Sequence, residues 1–100
     1  MEQSDAARAA AEYKLKCLDI YRRLRFDMQE LDASPEIRTD AIAMEKAVAA
    51  GERETALELS RTIVYLVSMV RERRYVSDED LENIRGAAEK LSCALGAAEG

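Results

Sequence analysis

The amino-acid sequence predicts an all-α fold: a small antiparallel bundle of four helices with a long first helix. Apolar residues recur at spacings of three and four along most of the chain, which is the period of helices with one buried face. The chain has 100 residues, of which 35% are charged, and only one Pro and four Gly interrupt it. Short connections between consecutive helices then make neighbouring helices antiparallel.

The first helix is predicted from Ser4 to Leu31. Ser4 is a suitable N-cap, and Asp5 places a negative charge at the positive end of the helix dipole. The apolar stripe of this helix consists of Ala6, Ala10, Tyr13, Cys17, Tyr21, Leu24, Met28 and Leu31.

The second helix is predicted to begin at Ser34 and Pro35 and to end at Gly51. Proline is favoured in the first helical turn because its missing N–H has no partner there. Glycine readily adopts the left-handed conformation that ends helices. The apolar stripe between these signals is Ile37, Ala41, Met44 and Val48.

The third helix is predicted from about Glu52 to Arg74, and arginines in its last turn suit the negative end of the dipole. Its stripe is Ala56, Leu59, Ile63, Leu66 and Val70. The β-branched residues in its middle would also suit a strand. A helix is preferred because both flanks continue the helical pattern without a turn signal.

The fourth helix begins with Ser77 and Asp80, which are spaced as in a capping box with Asp in place of the usual Glu. Its stripe is Leu81, Ile84, Ala88, Leu91 and Leu95, and Gly96 ends it. We therefore predict one helical-bundle domain over residues 1–96 and a flexible C-terminal tail over residues 97–100.

The predicted helix lengths imply that the start of helix 1 lacks cover from its own chain. At 1.5 Å per residue, helix 1 spans roughly 42 Å and helix 2 roughly 24 Å. A second helix folding back from Pro35 would end level with about Cys17, and the fourth would stop near Ile20 to Arg22. Cys93 would then lie opposite about Leu24.

Exposed apolar surface of this kind is typical of an interface. We predict that helix 1 docks on another protein or on a second copy, with further contacts from the apolar middle of helix 3. The candidate partner-binding residues are Ala10, Tyr13, Leu15, Leu18, Tyr65 and Met69. The alternative is that helix 1 frays or bends and that its alanines serve only as helix formers.

Residues for catalysis and cofactor binding are scarce, so we expect no catalytic site, no metal site, no cofactor and no small-molecule substrate. The chain has no His, which is the commonest general base and metal ligand. Its glycines are isolated, and its two cysteines, Cys17 and Cys93, are far apart. Both cysteines are interpreted as small core residues.

Two arginine clusters are candidate electrostatic contacts for an acidic partner or a nucleic-acid phosphate. They comprise Arg22, Arg23, Arg25, Arg71, Arg73 and Arg74. The formal net charge of −5 favours the alternative, in which these side chains pair with nearby carboxylates on a solvated surface.

The sequence thus predicts a cytoplasmic, non-catalytic protein–protein interaction module, such as an adaptor, chaperone or inhibitor. No apolar stretch reaches the roughly 20 residues that cross a bilayer, and the acidic start does not resemble a secretory signal. Two other functions stay open. One is a self-assembling structural homodimer. The other is a phage-type inhibitor that blocks a host nucleic-acid-processing complex sterically or by acidic mimicry.

Overall fold

In the computed structural model, the described residues are 5–24, 34–70 and 76–97. They form four helices: α1 (Asp5–Leu24), α2 (Ser34–Ala49), α3 (Arg53–Met69) and α4 (Asp78–Ala97). The predicted all-α class is confirmed. The predicted Ser4 cap, residues 25–31 of helix 1 and residues 98–100 of the tail lie outside the described residues.

Contacts between side chains show that α1 and α2 run antiparallel, and those between α1 and α4 are consistent with an antiparallel bundle. Along α1, Lys14 pairs with Glu45 of α2 at 2.7 Å, and further on the Arg38 guanidinium lies over the Tyr21 ring. Helix α1 packs against α2 and α4, and α3 packs against the same two helices. Helices α1 and α3 therefore occupy opposite corners of the bundle.

Gly51 forms the turn between α2 and α3, as its sequence position predicts. Its φ of 77° lies in the left-handed region. The Gly51 N–H donates to the Val48 carbonyl at 3.1 Å, and the Glu52 N–H donates to the Ala47 carbonyl at 2.9 Å. This pair of hydrogen bonds is the Schellman motif, which satisfies carbonyls at the end of α2 and reverses the chain.

The predicted capping box at the start of α4 is also confirmed. The Asp80 N–H donates to Ser77 Oγ at 3.1 Å, and the Ser77 N–H donates back to Asp80 Oδ2 at 2.9 Å. Each side chain satisfies a backbone donor that a helix start leaves without a partner. Asp therefore serves here in the position that Glu usually takes.

The core lies along the inner faces of all four helices, and most predicted stripes point into it. In α3 the buried set is Ala56, Ser60, Ile63 and Val67, whereas the predicted Leu59 and Leu66 are half-buried beside it. The prediction that this helix continues to Arg74 is wrong at Val70, whose ψ of 114° is not helical. The chain leaves the helix there with the Val70 side chain buried.

The expectation that the start of α1 lacks cover from its own chain is wrong. Ala6, Ala9 and Ala10 are buried. Ala7 lines a groove together with Ala49, so α2 ends level with the first turn of α1 and not with Cys17. The reason is that α2 begins close to the level of Leu24, as the contact between Arg38 and Tyr21 shows.

Helix α4 covers the same part of α1 from the other side. It starts level with Arg23, as the two hydrogen bonds from Arg23 to Asp80 show. Its 20 residues run back along α1, so that Lys90 reaches Glu12 at 3.0 Å. Within the described ranges, no helix is long and apolar enough to cross a membrane.

Candidate interaction surfaces

Two of the six predicted partner-binding residues, Ala10 and Tyr13, belong to the core, which corrects that prediction. Both are fully buried. The Tyr13 hydroxyl donates to the backbone carbonyl of Ser60 at 2.8 Å, across the bundle from α1 to α3. Burial raises the pKa of Tyr13 above its ordinary value. These residues hold the helices together and are not available to a partner.

Leu15 and Leu18 lie on the side of α1 that faces away from the core. Leu15 is 63% exposed, and Leu18 is half-buried. Ala11 and Arg22 follow the same side at helical spacing, and Asp19 lies beside them. We call this set, Ala11, Leu15, Leu18, Asp19 and Arg22, the α1 outer face.

Tyr65 and Met69 lie one turn apart on the side of α3 that faces away from the core. They are 60% and 56% exposed. Glu58, Arg61 and Thr62 are exposed one and two turns earlier on this side. We call these five residues the α3 outer face. Together with Leu15, Tyr65 and Met69 are the large apolar side chains that the described part of the molecule leaves exposed.

The two outer faces lie on opposite sides of the molecule, because α1 and α3 occupy opposite corners. The four predicted partner-binding residues outside the core, Leu15, Leu18, Tyr65 and Met69, therefore form two separate surfaces. The sequence analysis did not single out the charged neighbours Asp19, Glu58 and Arg61. Asp19 and Arg61 lie four residues from the exposed Leu15 and Tyr65, and Glu58 lies seven residues from Tyr65, so helical spacing from these apolar positions was the signal that could have found them.

The arginine clusters are only partly described. Arg22 is exposed, whereas Arg25, Arg71, Arg73 and Arg74 lie outside the described residues. Arg23 donates to both carboxylate oxygens of Asp80, at 2.9 and 3.2 Å, and pairs with Asp19 at 3.0 Å. Arg23 is therefore paired with carboxylates of its own chain, as the alternative interpretation of the arginine clusters expects, and its side chain is 36% exposed.

The Arg23–Asp80 ion pair shifts the pKa of both groups. Its hydrogen bond to Arg23 holds the pKa of the Asp80 carboxyl below its ordinary value, and the hydrogen bond from Ser77 adds to this. The same pair raises the pKa of Arg23. Both directions favour the charged forms, so this ion pair fixes the end of α1 to the start of α4.

A shallow groove follows the seam between α1 and α4. At one end it is lined by Asp5, Arg8, Ala9 and Cys93. Cys93 thus lies beside the first turn of α1, not beside Leu24 as predicted, because α4 runs the full length of α1. Cys93 is exposed, which also corrects its interpretation as a core residue, whereas Cys17 is buried as predicted.

Further along this seam, Lys90 pairs with Glu12 and lowers the pKa of that exposed carboxyl. In the part of the chain that the structure describes, no three acidic or cysteine side chains converge as a metal site would need. Acidic and basic side chains both line this groove, with Asp5 and Arg8 at one end and the Glu12–Lys90 pair further along.

The chain matches no model of a known protein family, no curated protein and no solved structure.

Proposed function

We propose that this protein is a non-catalytic protein–protein interaction module that binds through the α3 outer face. The observation that carries the proposal is the exposure of Tyr65 and Met69, whose side chains are 60% and 56% exposed. Most other large apolar side chains of the described residues are buried or half-buried in the bundle. Large apolar side chains next to one another on a surface are typical of binding sites.

The composition of the α3 outer face also suits this role. Tyrosine and methionine are enriched in protein interfaces. Fully burying one large apolar side chain contributes about 1.5–3 kcal/mol. Glu58 and Arg61 provide charges at the edge, where charged groups determine which partner fits more than they add affinity. A helix that presents an apolar stripe with a charged rim is a common means of recognition.

The test is affinity capture from extract of the native host with three immobilised baits. These are the wild-type protein, a Tyr65→Lys, Met69→Lys double variant, and an Arg85→Ala control on the exposed side of α4. We expect a protein, or further copies of the chain, to bind the wild type and the control but not the double variant. Circular dichroism must show equal helix content for all three baits.

The proposal fails if everything that the wild type retains is retained equally by the double variant. Binding of that kind would place recognition elsewhere on the molecule.

A further inference from the structure

We propose that the partner of the α3 outer face is the α1 outer face of a second copy of this chain, docked antiparallel. This inference rests on the proposed function and names the partner for the same surface. The spacing of outward-facing residues on the two helices and the charges beside them support this pairing.

The outward-facing positions of the two helices have the same spacing. Along α3, Glu58, Thr62, Tyr65 and Met69 are separated by four, three and four residues. Along α1, Ala11, Leu15, Leu18 and Arg22 are separated in the same way. This is the heptad-like spacing that lets two helices pack along a continuous seam.

An antiparallel alignment places apolar groups of one copy against apolar groups of the other in the middle of this seam. Tyr65 faces Leu15 of the second copy, and Thr62 faces Leu18 of the second copy. Met69 faces Ala11 of the second copy, whose small side chain leaves room for the long thioether. These contacts bury the apolar surface of Leu15, Tyr65 and Met69, which each copy alone leaves exposed. Leu18 and Ala11 are already half-buried in each copy.

The charges at the end of the seam are complementary in the same alignment. Glu58 faces Arg22 of the second copy, and Arg61 faces Asp19 of the second copy. Glu58, Arg61 and Arg22 form no ion pair with another described residue of their own chain, so their charges are available. Asp19 pairs with Arg23 of its own chain at 3.0 Å, but its side chain is 69% exposed, so its carboxylate can also accept from Arg61 of the second copy.

Other alignments of these faces do not pair apolar residues with apolar residues and opposite charges with each other at the same time. A parallel alignment with the same spacing places Met69 against Arg22 and Glu58 against Ala11. Moving α3 by three residues toward the C-terminal end of α1 in the antiparallel alignment places Arg61 against Arg22. Two α3 outer faces packed antiparallel place Glu58 against Met69. Of these alignments, only the proposed one pairs both the charges and the apolar residues.

The proposed contact joins two different surfaces, so it leaves one face of each kind free. Because these faces lie on opposite sides of the bundle, the contact adds copies in a row and does not close into a symmetric dimer. One helix–helix seam is a small interface. We therefore expect reversible association that increases with protein concentration.

The test is sedimentation velocity over a wide concentration range with two single charge reversals, Glu58→Arg and Arg22→Glu. Each reversal places like charges in the seam, and we expect each variant alone to associate at least about tenfold more weakly than wild type. An equal mixture restores association, because the arginine introduced in one variant then faces the glutamate introduced in the other. Glu89→Arg on the exposed side of α4 is the control and should associate as wild type does.

A second pair of variants distinguishes two different faces from one face that binds itself. Leu15→Lys blocks the α1 outer face, and Tyr65→Lys blocks the α3 outer face. Each alone should stay monomeric, and their mixture should stop at a one-to-one dimer. If Leu15→Lys still associates as wild type does, the α3 outer face pairs with itself and the inference is wrong.

The inference is also wrong if the wild type stays monomeric at all concentrations, or if the mixed charge reversals associate no better than either alone. A monomer that nevertheless captures another protein through Tyr65 and Met69 would overturn this inference and leave the proposed function intact. All of these substitutions are at surface positions, and thermal unfolding of each variant verifies that it is folded.

Discussion

Arg23 near the end of α1 binds the carboxylate of Asp80 at the start of α4 with two hydrogen bonds of 2.9 and 3.2 Å. The same carboxylate accepts the backbone N–H of Ser77 and so completes the capping box. One side chain therefore begins a helix and attaches that helix to its neighbour. A second described ion pair between α1 and α4 joins Lys90 to Glu12, and both of its side chains are more exposed than those of Arg23 and Asp80. The Arg23–Asp80 pair is therefore expected to stabilise the contact between these helices more than the Lys90–Glu12 pair does.

Replacing Asp80 with Ala should lower the free energy of unfolding by about 1–2 kcal/mol, since the variant loses a capping hydrogen bond and an ion pair. Urea unfolding followed by circular dichroism measures this change. Glu79→Ala, in the same helical turn and exposed, is the matched control and should change stability little. Equal effects of the two substitutions would show that the Asp80 contacts do not stabilise the fold.

The Arg23–Asp80 pair should also make stability depend on pH in acid. The pKa of Asp80 in the folded state lies below its ordinary value of 3.8, mainly because of the hydrogen bond from Arg23. The unfolded chain therefore takes up a proton first as the pH falls. The stabilisation is fully present above the unfolded pKa and is lost as the pH falls through the folded pKa.

Carboxyl NMR titration of the wild type and of Arg23→Gln measures this pKa directly. We expect the pKa of Asp80 to be higher in Arg23→Gln than in the wild type. An unchanged pKa would mean that the capping box alone sets it.

Removing the Tyr13 hydroxyl should destabilise the fold, because the Ser60 carbonyl then loses a buried donor at 2.8 Å. We expect Tyr13→Phe to cost about 1 kcal/mol and Tyr13→Ala about 3–5 kcal/mol, the latter because it leaves a cavity. Urea unfolding measures both losses of stability, provided that the m-value does not change. Tyr21→Phe is the control, since the Tyr21 hydroxyl has no hydrogen bond to another described residue. If Tyr13→Ala is as mild as Tyr21→Phe, Tyr13 is not a core residue.

The two thiols should react at very different rates. Cys93 is exposed, whereas Cys17 is buried, and burial raises the pKa of Cys17 to about 12. The thiolate is the reactive form, so a disulfide reagent should label one cysteine per chain in the folded protein and the second only after unfolding. Cys93→Ser should abolish the rapid reaction. Rapid labelling of Cys17 in that folded variant would contradict its burial.

The helices and their boundaries were mostly predictable from local sequence. Gly51 and the Ser77–Asp80 pair determine a turn and a helix start through backbone hydrogen bonds between residues a few positions apart. Such contacts form wherever the local sequence allows them. Exposure of Leu15, Tyr65 and Met69 was also predictable, since each lies across its helix from the buried stripe.

How the helices align along one another was not predictable in this way. It depends on where α2 and α4 begin relative to α1. The prediction placed the start of α2 level with about Leu31, whereas the contact between Arg38 and Tyr21 places it close to the level of Leu24. The predicted helix 3 was also longer than α3, which ends at Met69.

An error of one turn displaces a helix by about 5.4 Å along its neighbour. Helix α2 ends beside Ala7, ten residues and about 15 Å along α1 from the predicted level at Cys17. Tyr13 lies between these two levels, so it was expected to be a docking residue although it is buried.

The sequence by itself determined the all-α class, the turn at Gly51, the cap of α4 and most of the inward-facing residues, because these follow from periodicity and short-range hydrogen bonding. Only the tertiary structure decided that α2 and α4 cover the start of α1, that Arg23 is paired with Asp80, and that the exposed apolar residues form two opposite faces. Those features depend on contacts between residues far apart in the chain, and the packing of all four helices fixes them together.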